Sequence, residues 1–550
     1  KEELIKKENN QIFIPENTVS TFSIDVDTAS YRKIKKTIDT TENLYYYHFA
    51  PEEVRIEEMI NYFDYDYIPP QNEAFTAITE VVKSPFEDNI YFLHIAIKGK
   101  EDNLESIPPA NLIFLVDTSG SMSDENKLPL VKQSLIELTK NLRDIDKITI
   151  LTYSDDASIY LNSTSGKEKD KITNKINELT TNGSTNGEAG LNLAYKIGKE
   201  NFIKNGINRI ILCSDGDFNS GITNINDLKN MIVNYRKEGI ALTSLAFGNN
   251  IFNDPLFEIL SNSGNGNYYY IDNFNEAIKV LSTQLTTTLT TIAKDVKIQV
   301  EFNPENIKSF NLLGYENKLL NKEDFKNDKV DAGEIGNGHS VTALYEIKLN
   351  NFQTENQNSD LKYYKGITIP TKYIDELATV NIRYKKPNEN NSIPLNFIVK
   401  RNSIINDISK SSNNFRFSLA VAYFGLMLIN KINISNLGKI IKLAKESKGE
   451  DKLGYKEEFI QLIESFKTKF REEEIVYSGF SKKAQLLIKT GEITGNLTPE
   501  QVERVINRHL MEIRYCYEKE LYYNDNLKGT VELTWKIDPM GEVASAIVSK

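Results

Sequence analysis

A mixed α/β chain, in which a doubly wound parallel sheet is inserted in a β-sandwich and followed by a helical subdomain and an α+β piece, is what three features of the sequence predict. Short apolar strand-like runs alternate with amphipathic helical runs from about Ala110 to Ile292, the pattern of a parallel sheet covered on both faces. Strand-like runs without helices stand on both sides of that block, and neither set alone buries a good core. Helix-period runs then begin at Phe415. With 550 residues, the chain has room for roughly three or four domains of about 150 residues.

Taken in order, residues 1–70 read as a small helical lead-in. STFSIDVDTASYRKIKKTI is a strand followed by a helix, and Pro51–Tyr67 is a second helix opening on proline. Residues 71–109 give the first part of the sandwich, with strands at Ala74–Val82 and Ile90–Lys98 before the Pro108-Pro109 break. Residues 110–292 carry strands at Asn111–Val116, Lys147–Tyr153, Asn208–Cys213, Ala241–Phe247 and Tyr268–Ile271. Helices at Leu128–Leu142, Gly187–Phe202, Ile225–Lys237 and Asn275–Thr290 alternate with them. Residues 293–405 return to strands, at Val296–Phe302, Val341–Leu349, Thr379–Tyr384 and Leu395–Lys400. The helical subdomain, 410–475, contains Phe415–Ile429, with Phe417, Val421, Phe424 and Leu428 at helical spacing, and Leu437–Phe470. A linker at 476–496 leads to residues 497–550, where Thr498-Pro499 start a helix that runs into strands Gly529–Ile537 and Val543–Ser549.

Composition narrows the function. With 40% hydrophobic and 26% charged residues and 15 prolines, the chain is folded protein rather than disorder, collagen or a membrane bundle. The 66 basic against 77 acidic residues, net −11, argue against nucleic acid or anionic lipid as the main partner. Cys213 and Cys516 make no disulfide scaffold or four-cysteine zinc site and are read as unpaired. His48, His94, His339 and His509 are scattered without ligand spacing, which leaves oxygen ligands to carry any metal. No stretch approaches the ~18 apolar residues of a membrane-spanning helix. The opening KEELIKKENNQ is neither an initiator Met nor a signal peptide, so a trimmed start is expected.

The chemistry concentrates in Asp117-Thr118-Ser119-Gly120-Ser121, directly after the strand NLIFLV. Ligand sites of open parallel sheets sit at the carboxyl ends of strands, and this tight loop presents one carboxylate and two hydroxyls. Gly183-Ser184-Thr185-Asn186, before a helix, and Ser214-Asp215-Gly216-Asp217, after a strand, lie on the same expected rim. Hard oxygen ligands of this kind suit Mg²⁺ or Mn²⁺ more than Ca²⁺. Each string alone is weak, since Ser-Asp-Gly is a common turn; three loops in order on one rim are not. Asp217 and Asp155-Asp156 are read as solvated loop charge, Asp25 and Asp27 as strand-end caps, and His339 as structural.

These residues resemble the von Willebrand factor type A domain, a Rossmann-like fold whose metal-ion-dependent adhesion site has the pattern Asp-x-Ser-x-Ser, then Thr, then Asp. The matching positions are Asp117, Ser119, Ser121, Thr185 and Asp215. The resemblance implies a Mg²⁺ held by the hydroxyls of Ser119 and Ser121, with Thr185, Asp117 and Asp215 bound directly or through water. With at most two carboxylates the ion keeps net positive charge and an open position, which an external Asp or Glu carboxylate can fill.

The flanks NTVSTFSIDVDTASY, VRIEEMINYFDYDY, DAGEIGNGHSVTALYEI and FRFSLAVAYFGLML look like a bacterial subfamily of such proteins. From Leu497, LTPEQVERVINRHLMEIRYCYEKEL resembles the C-terminal domain of TonB-like and gliding-motility envelope proteins, which runs on further, so a truncated piece with a free Cys516 is expected. Together the resemblances imply a non-enzymatic, metal-dependent protein-binding protein of the cell envelope, periplasmic or outer-membrane-associated, with membrane anchoring through a removed N-terminal segment. The competing reading is a structural adaptor that binds through its flanks. Metal-assisted hydrolysis would need a general base beside the metal, which the sequence does not offer.

Overall fold

The computed structural model describes residues 12–13, 18–24, 27–47, 49–101, 107–216, 225–248, 254–284, 291–330, 332–350, 373–387, 389, 391–470, 533–537 and 543–548. It divides into one unit of Lys1–Thr40 with Phe49–Phe466 and a second of Thr41–His48 with Lys467–Lys550.

In the first unit, strands β1 (Ile12–Phe13), β2 (Val19–Ser23), β3 (Phe75–Lys83) and β4 (Ile90–Gly99) precede the inserted domain. That domain contains β5 (Ala110–Asp117), β6 (Lys147–Tyr153), β7 (Ala157–Ser165), β8 (Ile207–Ser214), β9 (Ala241–Phe247) and β10 (Tyr268–Ile271). Its sheet order is β10-β9-β8-β5-β6-β7, parallel throughout except for β7, which closes the edge antiparallel to β6. All eight residues of β5 are buried, as a strand covered on both faces must be. Leu112, Phe114 and Val116 pack on Leu128, Val131 and Leu135 of the Leu128–Asn141 helix. Their neighbours Ile113 and Leu115 pack on Leu191, Ala194 and Tyr195 of the Gly187–Glu200 helix. Each such buried Leu, Ile or Val contributes about 1.5–3 kcal/mol.

After the insertion come β11 (Thr291–Phe302), β12 (Ile307–Leu313), β13 (Gly333–Gly336), β14 (Ser340–Leu349), β15 (Glu376–Lys385), β16 (Ser392–Lys400) and β17 (Ile404–Ile405). One sandwich sheet runs β1-β12-β14-β4-β3-β17, so strands from before and after the inserted domain are hydrogen-bonded neighbours. The other runs β13-β11-β15-β16, with β2 beside β11. Phe22, Val300 and Ile382 from one sheet meet Leu93, Phe310 and Tyr345 from the other in a single core. Phe302 and Phe310 stack there with ring centroids 4.1 Å apart.

The lead-in differs from the expectation of a helical segment at 1–70. β2 pairs antiparallel with β11, Val19 opposite Glu301 and Ser23 opposite Lys297, and so belongs to the sandwich. The helices are Ala29–Thr40 and a short Ile56–Asn61. The second helix stops at Asn61, and Tyr65 and Tyr67 beyond it stack with ring centroids 5.4 Å apart.

Leu437–Phe470 is likewise two helices, Leu437–Ser447 and Tyr455–Lys469, parted where Gly449 (φ 61°) and Gly454 (φ 76°) adopt left-handed backbone. Before them, the Asn413–Leu428 helix is apolar nearly all round and central. Among the described residues no helix is long and apolar enough to cross a membrane.

In the second unit β18 (Leu533–Ile537) pairs antiparallel with β19 (Val543–Val548). The TonB-like helix read from Leu497, the linker and Cys516 lie outside the described residues, as do Asp25, Asp217, His48 and His509.

Candidate metal centre

The carboxyl ends of β5 and β8, and the loop leading into the Gly187–Glu200 helix, meet at one point of the sheet rim. Because β5 and β8 are adjacent and parallel, with Val116 beside Cys213, the residues that follow them come together. Asp117 is fully buried. Its Oδ1 accepts hydrogen bonds from the Ser119 backbone N–H (2.9 Å) and hydroxyl (2.6 Å), and its Oδ2 accepts from Ser214 (2.8 Å) and the Tyr153 hydroxyl (3.2 Å). The Ser119 and Ser121 hydroxyls are hydrogen-bonded to each other, with their oxygens 3.1 Å apart. The third loop is tied on by the Gly120 N–H to Gly183 O (3.0 Å) and the Asn182 N–H to Thr118 O (2.7 Å). That loop carries Thr185, 3% exposed. Asp215, also fully buried, accepts from Lys127 Nζ at 2.9 Å. All five expected residues, Asp117, Ser119, Ser121, Thr185 and Asp215, therefore stand in the three joined loops.

Burial pushes the Asp117 carboxyl up to about 6, against the hydrogen bonds from Ser119 and Ser214 and with the aid of the Asp215 charge. Of the two buried carboxylates, Asp215 has the Lys127 ammonium beside it, while Asp117 accepts from the Ser119, Ser214 and Tyr153 donors. Two oxygens held at neighbouring positions of an octahedral Mg²⁺, at about 2.1 Å from it, lie about 3 Å apart. The separation of the Ser119 and Ser121 hydroxyls, 3.1 Å, fits that geometry. Both oxygens of Asp117 are engaged by hydrogen bonds, which suits a carboxylate that orients hydroxyl ligands and balances charge rather than one that grips an ion in both oxygens.

Lys127 and Tyr153 were not singled out from the sequence as parts of the site, whereas Ser214 was read on the rim; Asp155, read as solvated loop charge, is exposed and has a partner as well. Its Oδ1 accepts from the Ser184 N–H (2.9 Å) and hydroxyl (2.6 Å) and so shapes the Thr185 loop. Gly183, at φ 78°, is needed there, because a Cβ would lie 2.6 Å from Asp155 Oδ2. Lys127, Tyr153 and Ser214 complete the shell around the two carboxylates. Tyr153 and Ser214 end strands, a position that marked them; nothing local marked Lys127. Asp27 does cap a strand, accepting from the Tyr268 N–H at 2.9 Å. Cys213 is a free, buried thiol.

Family models match the chain in succession. The model described as von Willebrand factor covers residues 2–94, the von Willebrand factor type A domain covers 111–284, and "Uncharacterized protein YfbK, C-terminal" covers 287–468. The Escherichia coli (strain K12) protein "Uncharacterized protein YfbK" is 38% identical over 462 residues, which are 82% of this chain and 78% of that protein. The chain belongs to the YfbK family. YfbK likeness thus extends through the sandwich and helical parts as well as the inserted domain. Human inter-alpha-trypsin inhibitor heavy chain H2 is 27% identical over 186 residues, 32% of this chain but 19% of that protein, so it shares one segment with the YfbK family. A solved von Willebrand factor type A protein from Catenulispora acidiphila covers 71% of this chain and 91% of its own at 13% identity. Its TM-score is 0.40.

Proposed function

We propose that this protein is a non-enzymatic, divalent-metal-dependent protein-binding protein of the bacterial cell envelope. Ser119, Ser121 and Thr185 would hold Mg²⁺ or Mn²⁺, with Asp117 and Asp215 balancing its charge. The bound ion supplies an electrophilic open position for an Asp or Glu carboxylate of a partner protein. The observation that carries this reading is the pair of Ser119 and Ser121 hydroxyls, 3.1 Å apart, with Ser119 bonded to the buried Asp117 carboxylate and the Thr185 loop tied to theirs through Gly120 and Gly183. Type A domains generally serve protein interaction and adhesion, which supports the same reading. Against catalysis, Asp117 is engaged by Ser119, Ser214 and Tyr153 and Asp215 by Lys127, so neither is placed to take a substrate proton. The envelope location rests on the resemblance of the flanking strings and of the segment from Leu497.

The test is capture from a cell-envelope extract by the immobilised full chain, in Mg²⁺ and in chelator, with Ser121→Ala alongside. Capture lost in chelator and in the variant supports the reading. Capture indifferent to both would overturn it in favour of an adaptor that binds through its flanks.

A further inference from the structure

Lys127 enters the candidate metal centre from the residue before the Leu128–Asn141 helix. Its ammonium lies 2.9 Å from Asp215 Oδ2 and 2.8 Å from the Ser121 carbonyl oxygen, with Asp124 farther off at 3.7 Å. The residue is 7% exposed. Its stem runs along Gly248 at the end of β9, where a Cβ would lie 2.8 Å from Lys127 Cε and 3.1 Å from Cγ. Gly248 has φ 101°. The backbone there thus leaves a track just wide enough for the lysine stem, so the ammonium is delivered to one place rather than left to wander from the surface. Its two close partners are the carboxylate of one expected ligand residue and the backbone of another.

We propose that Lys127 is a built-in counter-ion that occupies the Asp215 side of the centre and sets a weak affinity for the divalent ion, so that metal loading responds to metal concentration. This rests on the metal reading above. A fixed monovalent cation satisfies the buried Asp215 carboxylate when metal is absent, which lets the domain fold without it. The same cation competes for the Asp215 lone pairs and repels a second positive charge placed among Ser119, Ser121 and Thr185. A purely structural lysine would predict the reverse, because disturbing the rim would weaken metal binding.

The experiment is calorimetric titration of Mg²⁺ and Mn²⁺ into chelator-stripped full-length protein, wild type against Lys127→Met and Lys127→Gln, with melting temperatures in chelator and in excess Mg²⁺. Lys140→Met, which removes an exposed lysine from the far end of the same helix, controls for net charge. The proposal expects tighter metal binding in both Lys127 variants by about tenfold or more, no change in Lys140→Met, and a melting temperature that drops in chelator and recovers with Mg²⁺. Equal or weaker metal affinity in the Lys127 variants, with the wild type binding normally, would overturn this proposal alone. No metal binding in any form would overturn the metal reading and this proposal with it.

Discussion

Arg32 and Asp272 form a two-pronged ion pair, with Arg32 Nη2 2.7 Å from Oδ1 and 2.8 Å from Oδ2, that fastens the Ala29–Thr40 helix to the end of β10 in the inserted sheet. The guanidinium also donates to Glu458 Oε1 at 2.7 Å and faces Glu276 Oε2 at 3.7 Å. Lys279 donates to Tyr62 O at 2.6 Å, and Tyr62 to Glu276 at 2.6 Å. Burial disfavours the charge on Arg32, but Tyr62, Glu276, Asp272 and Glu458 more than offset it. One polar hub therefore joins the lead-in, the inserted domain and the helical region.

Arg32→Met leaves Asp272 and the fully buried Glu276 without their guanidinium. The expected cost is about 3–5 kcal/mol of unfolding free energy, read by urea denaturation, while metal affinity of the folded fraction stays at the wild-type value. A loss below about 1 kcal/mol would show that the hub does not hold the parts together.

Asp155→Ala removes the acceptor that sets the Ser184 N–H and hydroxyl, and with it the placement of Thr185. Metal affinity should fall by about tenfold or more with little change in melting temperature, because Asp155 is solvent-exposed. An unchanged affinity would mean that the loop holds its shape without it.

Acid should weaken the fold through two histidines. Burial pulls both His94 and His339 down to about 4, below the usual value of about 6.5 in the unfolded chain. Between those limits the unfolded state binds more protons than the folded state, so stability falls as pH drops from about 6.5 to about 4. The fully buried His94 contributes up to roughly 3 kcal/mol, and the half-buried His339, which lines a surface cavity, contributes less. Replacing His339 with Gln should lessen the histidine part of this loss, against which the raised Asp117 carboxyl works in the same pH window; denaturation midpoints with an unaltered pH dependence would contradict the assignment.

Two glycines give opposite expectations. A Cβ at Gly266 would lie 1.8 Å from the Leu242 carbonyl oxygen, which cannot swing aside, so Gly266→Ala should cost several kcal/mol or prevent soluble expression. Around Gly438, in the Leu437–Ser447 helix, nothing lies within 4 Å, and Gly438→Ala should stabilise by about 0.5–1 kcal/mol. Thermal melts of both variants decide the matter.

The parallel sheet was legible because burial on both faces leaves a mark in each strand: β5 is apolar from Leu112 to Val116 and its loops fall at predictable ends. The five rim residues were legible for the same reason. What escaped reading depends on partners distant in the chain. β2 finds β11 some 280 residues later, so Val19–Ser23 alone could not announce membership of the sandwich. Lys127 meets a carboxylate 88 positions away, and Asp155 became structural only because Ser184 folds back onto it. Edge strand β7 and the Lys169–Asn177 helix were passed over because half-exposed, polar elements carry little periodic signal.

The most direct measurement is titration of Mg²⁺ into the chelator-stripped full chain, wild type against the double variant Ser119→Ala, Ser121→Ala, with circular dichroism to verify the fold. The account predicts one ion per chain in the wild type and none in the folded double variant. Equal binding in both, or none in the wild type, would contradict it.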